Sequence, residues 1–252
     1  MKEKTELNKS ASNKILGVIP LTFAVFGFLV FIHRLCYYNF EYDPEYSPVD
    51  YGKYNILSYF TVQSNFFCYI YFLLAGLGIF GAEKAKKIGF NPVFGALVTL
   101  YVIIAGITYT AGIPMGMTPP FKWDTPAHSM SSFIQVYYHM IMPPVAFIVW
   151  LFPFTNEKLA KKTVLLSGIY PFVYSVFSII RGAFSDPVYY PYPFYNPEFI
   201  GGLFKPEPLS KGASYAVIGV LLIFGIGLFM ACCALIVLVH NKRIKTIPEE
   251  QK

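Results

Sequence analysis

The sequence predicts an all-α, polytopic integral membrane protein: six transmembrane helices, both termini cytoplasmic, and a single transmembrane domain over residues 1–252. Three observations predict it. The chain is 55% hydrophobic and only 13% charged, too apolar a balance for an ordinary soluble domain. Its apolar residues fall in runs long enough to cross a bilayer, roughly 15–32, 54–80, 91–113, 129–152, 162–181 and 212–239. Lys and Arg, finally, are concentrated in every second segment between those runs.

The first span follows Lys2, Lys4, Lys9 and Lys14 and so resembles the front of a signal peptide. No small-residue cleavage site follows, because the run continues into "VFIHRLCYYNF", and a retained helix is expected. The first outer loop, "CYYNFEYDPEYSPVDYGKYN", mixes Tyr with acids and Pro, as an ordered cap at headgroup level would. The second span, "SYFTVQSNFFCYIYFLLAGLGIF", carries a polar patch near its start, where each hydroxyl or amide entering hydrocarbon needs a partner.

The inner loops "GAEKAKKIGFN" and "PFTNEKLAKK" are short and plain, so function is expected on the outer side, where loops are longer and richer in aromatic and polar groups. The third connection, "GIPMGMTPPFKWDTPAH", is too rich in Pro for a straight helix and predicts a tight cap, with room for a shallow re-entrant edge. The fifth, "RGAFSDPVYYPYPFYNPEFIGGLFKPEPLSKG", has a Pro spacing that predicts no helix and a Tyr content that suits the interface belt. It is expected to pack as a lid over the outer helix ends, or to serve only as an interfacial anchor. Cys36, Cys68, Cys232 and Cys233 show neither metal-ligand nor disulfide-framework spacing.

The N-terminal tail, the 81–90 loop, the 153–161 loop with Lys162, and the C-terminal tail hold 14 of the 20 Lys and Arg residues. Arg34, Lys53, Lys122, Arg181, Lys205 and Lys211 hold the other side. This asymmetry places both termini in the cytoplasm. Of the 14 acids, 8 lie on the outer side. The net charge of +6 is therefore a sidedness signal and gives no reason to expect a nucleic-acid partner. The expected partners are the bilayer and a membrane lipid or amphiphilic ester, and the location is the cell membrane.

Polar residues inside the spans carry the functional signal. Thr61, Ser64, Asn65 and Cys68 recur at i, i+3, i+4 and i+7 on one helix face. With an outer helix start at Tyr54, Thr61 would lie roughly 10 Å in. Ser132, Gln135 and His139 share a face of the fourth span, with His139 roughly 15 Å from a start near Ser129. His139 is the one histidine well inside a span, and intramembrane ionisable residues usually face the protein interior or a water-filled cavity. It is either a neutral imidazole tying two helices together or a base paired with Thr61 as nucleophile.

Ser64, Asn65 and Gln135 are candidates for polar contacts to substrate or an oxyanion, or for interhelical hydrogen bonds. Arg181, Asp186 and His128, at outer boundaries, are candidates for a head group. A zinc site from His33, Asp124, His128 and His139 would lack the close spacing of metal motifs, and no metal is expected.

The run Tyr59-Phe60-Thr61, the position of His139 five residues before Pro144 in "HMIMPPVAFIVW", and the Tyr192-Pro193-Phe194 segment before the last span resemble the androgen-induced-gene-type membrane hydrolases, the family that includes the androgen-dependent TFPI-regulating protein and bacterial six-span relatives. Gln135-Val136 and Ser64 stand where the animal enzymes carry an Asn-His pair and an acid. The resemblance implies six spans, catalytic roles for Thr61 and His139, and no metal or organic cofactor. It also implies hydrolysis of esters between a fatty acid and the hydroxyl of a hydroxy fatty acid. The competing reading is a non-enzymatic multi-pass lipid-binding or transport protein, in which the same patch binds a head group or stabilises a kink.

Overall fold

The structure, a computed structural model, describes residues 2–37, 52–118, 120–152 and 154–245, with the backbone alone at 2–13, 53 and 245. The expected headgroup-level cap at 38–51 lies outside the described residues. Among those residues, six helices are long and apolar enough to cross a bilayer: Lys14–Tyr37, Phe60–Ile79, Pro92–Gly112, Pro126–Trp150, Lys162–Phe184 and Lys211–Ile244. The chain is an all-α, multi-pass membrane protein.

In chain order the elements are α1 (Lys2–Tyr37), a 3-10 turn (Lys53–Ser58), α2 (Phe60–Ile79), α3 (Glu83–Gly89), α4 (Pro92–Gly112), α5 (Pro126–Val136), a π-helical segment (Tyr137–Ile141), α6 (Met142–Trp150), α7 (Lys162–Phe184), a 3-10 turn (Pro193–Tyr195), α8 (Pro197–Gly202) and α9 (Lys211–Lys245). Three of the helices start on one device, a polar cap followed by Pro at the first helical position, where the missing N–H costs nothing. Asn91 Oδ1 accepts from the N–H groups of Val93 and Phe94 at 3.0 Å, Thr125 Oγ1 from His128 at 3.1 Å, and Asn196 Oδ1 from Glu198 at 2.9 Å.

That device corrects two expectations. The "NPEF" step makes α8 a short helix inside the segment whose Pro spacing predicted none, because Pro197 takes the N1 position rather than an interior one. The fourth span likewise begins at Pro126, ahead of Ser129, and no helix lies between 113 and 125 among the described residues. The second span begins later than expected. Residues 53–58 form a 3-10 turn in which buried Ser58 Oγ donates to Asn55 Oδ1 at 2.8 Å, and Gln63 Nε2 donates to the Leu57 carbonyl at 2.7 Å. Local side-chain bonds of this kind compete with the helical ladder. Thr61 is therefore the second residue of α2 and not about two turns inside it.

The chain divides into two compact units, residues 1–159 with 240–252, and residues 160–239. In the first, α1 packs along α2, and α2 against α3 and α4. Contact is close because Gly27 has no side chain: a Cβ there would lie 2.3 Å from the Tyr69 ring. Small residues at such crossings let packing contacts do what water-driven burial cannot do within a bilayer. The core holds Tyr69, Tyr71, Phe72, Ile134, Tyr137, Met142 and Val149. Near the C-terminal end of α9, Asn241 clasps the backbone of Leu159, accepting from its N–H at 2.8 Å and donating to its carbonyl at 2.9 Å. Arg243 lies over Trp150 at 5.2 Å and donates to its carbonyl.

In the second unit the tyrosine-rich segment folds onto its own helices. The hydroxyls of Tyr195 and Ser175 on α7 are 2.7 Å apart, and those of Tyr190 and Tyr215 on α9 are 2.9 Å apart.

Candidate functional site

Thr61 and His139 come together in the first unit. Thr61 Oγ1 is 3.2 Å from His139 Nε2, and both residues are 7% exposed. His139 Nδ1 is 3.0 Å from the main-chain oxygen of Gln135. A carbonyl only accepts, so that contact places the ring proton on Nδ1. Nε2 then presents a lone pair, and the Thr61 hydroxyl donates to it. A hydroxyl donating to an imidazole held in the acceptor tautomer is the first requirement for nucleophilic attack.

The backbone that carries His139 is unusual for a physical reason. Pro143 and Pro144 have no N–H for the carbonyls of His139 and Met140, so the regular i to i−4 ladder is interrupted just before α6. The chain opens into a π turn over Tyr137–Ile141, with the Met142 N–H reaching back five residues to the Tyr137 carbonyl. Gly106 of α4 lies against this opening: a Cβ there would sit 2.5 Å from Pro143 Cγ and 2.7 Å from the His139 carbonyl oxygen. One turn on from Gly106, Tyr109 stacks on the imidazole with ring centroids 3.7 Å apart and planes 13° from parallel. Phe121 of the following loop lies against Tyr109 at 6.2 Å, and Thr118 Oγ1 donates to the Tyr109 carbonyl at 3.4 Å.

The other candidates divide. Ser64 Oγ and Asn65 Nδ2 both donate to the carbonyl of Thr61, at 3.1 and 2.9 Å. The single hydroxyl proton of Ser64 is thereby engaged, whereas Asn65 keeps a second N–H; its Oδ1 is buried without a hydrogen-bond partner. Gln135 contributes its carbonyl to the histidine, and its side chain is half-buried. Ser132 Oγ accepts from the Lys122 N–H at 2.8 Å and donates to the Lys122 carbonyl at 2.7 Å, pinning the main chain at Lys122 to α5.

His128 pairs with Asp124, Nδ1 to Oδ1, at 2.7 Å. The imidazole beside Asp124 holds its carboxyl below the ordinary aspartate value. Among the described residues no three His, Cys, Asp or Glu side chains cluster as a metal site requires. Arg181 and Asp186 belong to the second unit, where Arg181 lies 4.9 Å from the centre of the Tyr189 ring.

Sequence reasoning missed Tyr109 and Gly106. The available signal was their i, i+3 spacing on one face of the third span together with the Pro pair after His139, which announces a break in the ladder at that histidine. No family model, curated protein or solved structure matches this chain.

Proposed function

We propose that this protein is an intramembrane threonine hydrolase that cleaves lipid-like carboxylic esters. Fatty-acid esters of hydroxy fatty acids are the substrate class that the resemblance to the androgen-induced-gene-type hydrolases implies. The observation that carries the reading is the 3.2 Å contact between Thr61 Oγ1 and an imidazole whose other nitrogen is engaged by a main-chain carbonyl.

In this reading Thr61 Oγ attacks the acyl carbon while its proton passes to His139 Nε2. The C–O bond to the leaving alcohol breaks as the imidazolium returns that proton to the alkoxide oxygen. Water, deprotonated by the same nitrogen, then releases the fatty acid and restores Thr61. The free N–H of Asn65 and the side-chain amide of Gln135 are the candidate oxyanion donors. The acyl chains enter laterally from the bilayer, and no metal or organic cofactor takes part. The basic asymmetry orients both termini to the cytoplasm and the site to the outer leaflet. A thiol introduced at Asn196 should react with an impermeant maleimide from outside only, and labelling from the cytoplasmic side alone would reverse the orientation. The head-group roles of His128, Arg181 and Asp186 rest on their sequence positions at outer boundaries.

A second reading has one observation in its favour: the Thr61-His139 hydrogen bond satisfies two buried polar groups and would by itself tie α2 to the π segment. The protein would then bind or move lipid without cleaving it. Purified wild type, Thr61→Ala and His139→Ala, each checked for folding, separate the readings on a panel of acyl esters. Hydrolysis by wild type alone supports the hydrolase. Reversible lipid binding without turnover, unchanged in Thr61→Ala, supports the tie.

A further inference from the structure

We propose that Tyr109 is a positioning residue for His139, holding the plane of the imidazole and facing the positive charge that ring takes up when Thr61 gives away its proton. The proposal rests on the threonine hydrolase reading for its chemical purpose, but its geometry stands separately.

Two contacts lie along the edge of the imidazole, one to Gln135 and one to Thr61. Edge contacts fix where the nitrogens point only if the ring cannot swing out of plane, and the face is where that motion has to be stopped. Tyr109 covers a face at 3.7 Å between centroids and 13° from parallel, close to van der Waals contact over the whole ring. Its own placement is determined on several sides. Gly106 lets α4 approach the His139 carbonyl, Phe121 lies against the phenol, and Thr118 engages the Tyr109 carbonyl.

Charge supplies the second part of the argument. In a serine-type triad a buried carboxylate behind the histidine stabilises the imidazolium. Here the partner of Nδ1 is a main-chain carbonyl, a dipole rather than a full charge. The face of a phenol ring carries the negative side of its quadrupole, and a cation against it is stabilised most where water is excluded. His139 is 7% exposed, so the site meets that condition. The phenol face thus supplies, next to the carbonyl, the electrostatic help that a carboxylate gives elsewhere. Tyr109 forms no bond and moves no proton in this account.

The test uses full-length protein in nanodiscs, labelled with 15N-histidine, with the His139 signals assigned by their loss in His139→Gln. Wild type, Tyr109→Phe and Tyr109→Trp, which keep an aromatic face, should each show His139 protonated on Nδ1 and bare on Nε2. Tyr109→Met, of similar bulk without a ring, should show mixed tautomers. The rate at which a fluorophosphonate probe labels Thr61 should stay within about twofold in Tyr109→Phe and fall about tenfold in Tyr109→Met.

A single Nδ1-protonated tautomer and an unchanged rate in Tyr109→Met would overturn the proposal, as would a wild-type spectrum with the proton on Nε2. Should Tyr109→Met not fold, the ring-retaining variants decide, since a tenfold loss in Tyr109→Phe would contradict a role carried by the ring face. If wild type does not label at all, the hydrolase reading fails, while the tautomer spectra still decide whether Tyr109 positions the ring.

Discussion

Replacing Gly106 with Ala adds a single methyl group where α4 meets the backbone of the π segment. That methyl would sit 2.5 Å from Pro143 Cγ and 2.7 Å from the His139 carbonyl oxygen, distances real Cβ contacts do not show. Neither neighbour can rotate away, because one is a closed ring and the other is backbone, so the two helices must separate. Overpacking of this kind costs about 1–3 kcal/mol, against a gain of up to about 1 kcal/mol from the better helix propensity of Ala. The expected net loss is about 1–2 kcal/mol, read as a fall of several degrees in the midpoint of thermal unfolding.

The same displacement moves Tyr109 relative to the imidazole and stretches a Thr61-His139 contact that is already 3.2 Å long. The internal control is Gly219→Ala on α9, where nothing lies within 4 Å of the added methyl. Differential scanning fluorimetry of both variants in the same detergent is the assay. Gly219→Ala should match or slightly exceed wild type. If Gly106→Ala were equally stable, α4 would not be held tightly against the His139 carbonyl.

Two further outcomes follow from the first unit. Asn241→Ala removes both hydrogen bonds to Leu159 and leaves that backbone unsatisfied, at a cost of about 1–3 kcal/mol; amide exchange should quicken over residues 155–159 and stay unchanged in α4. The Asp124 carboxyl is held below its ordinary value first by its hydrogen bond with His128, so the stability it adds is present above the unfolded aspartate value and is lost as pH falls through its lower folded value. Protection of the first-turn amides of α5, corrected for the intrinsic pH dependence of exchange, should therefore fall on acidification through that window in wild type, and Asp124→Asn should abolish that fall.

The spans were legible because each is an uninterrupted apolar run, and the polar stripes were legible because Thr61, Ser64 and Asn65, like Ser132, Gln135 and His139, repeat at helical spacing. What each stripe residue does was not legible. Ser64 and Asn65 turn back onto the Thr61 carbonyl, and Ser132 pins the main chain of Lys122, choices made by local geometry that spacing does not encode. The start of α2 was misjudged because Ile56 and Leu57 extend the apolar run, while a side-chain bond between Asn55 and Ser58 helps set the 3-10 turn. Tyr109 was hidden for a different reason. Its contact with His139 joins two helices and depends on a missing side chain at Gly106 and on missing N–H groups at Pro143 and Pro144, none of which raises a hydrophobicity signal.

The central claim is that Thr61 is a nucleophile activated by His139, and covalent capture tests it most directly. Purified wild type in nanodiscs, treated with a fluorophosphonate, should gain one phosphonyl adduct that peptide mass spectrometry places on Thr61. Thr61→Ala should gain none there, and His139→Ala should label at least about a hundredfold more slowly, the scale of a lost general base. An adduct on another residue, or equal labelling of wild type and His139→Ala, would contradict the account.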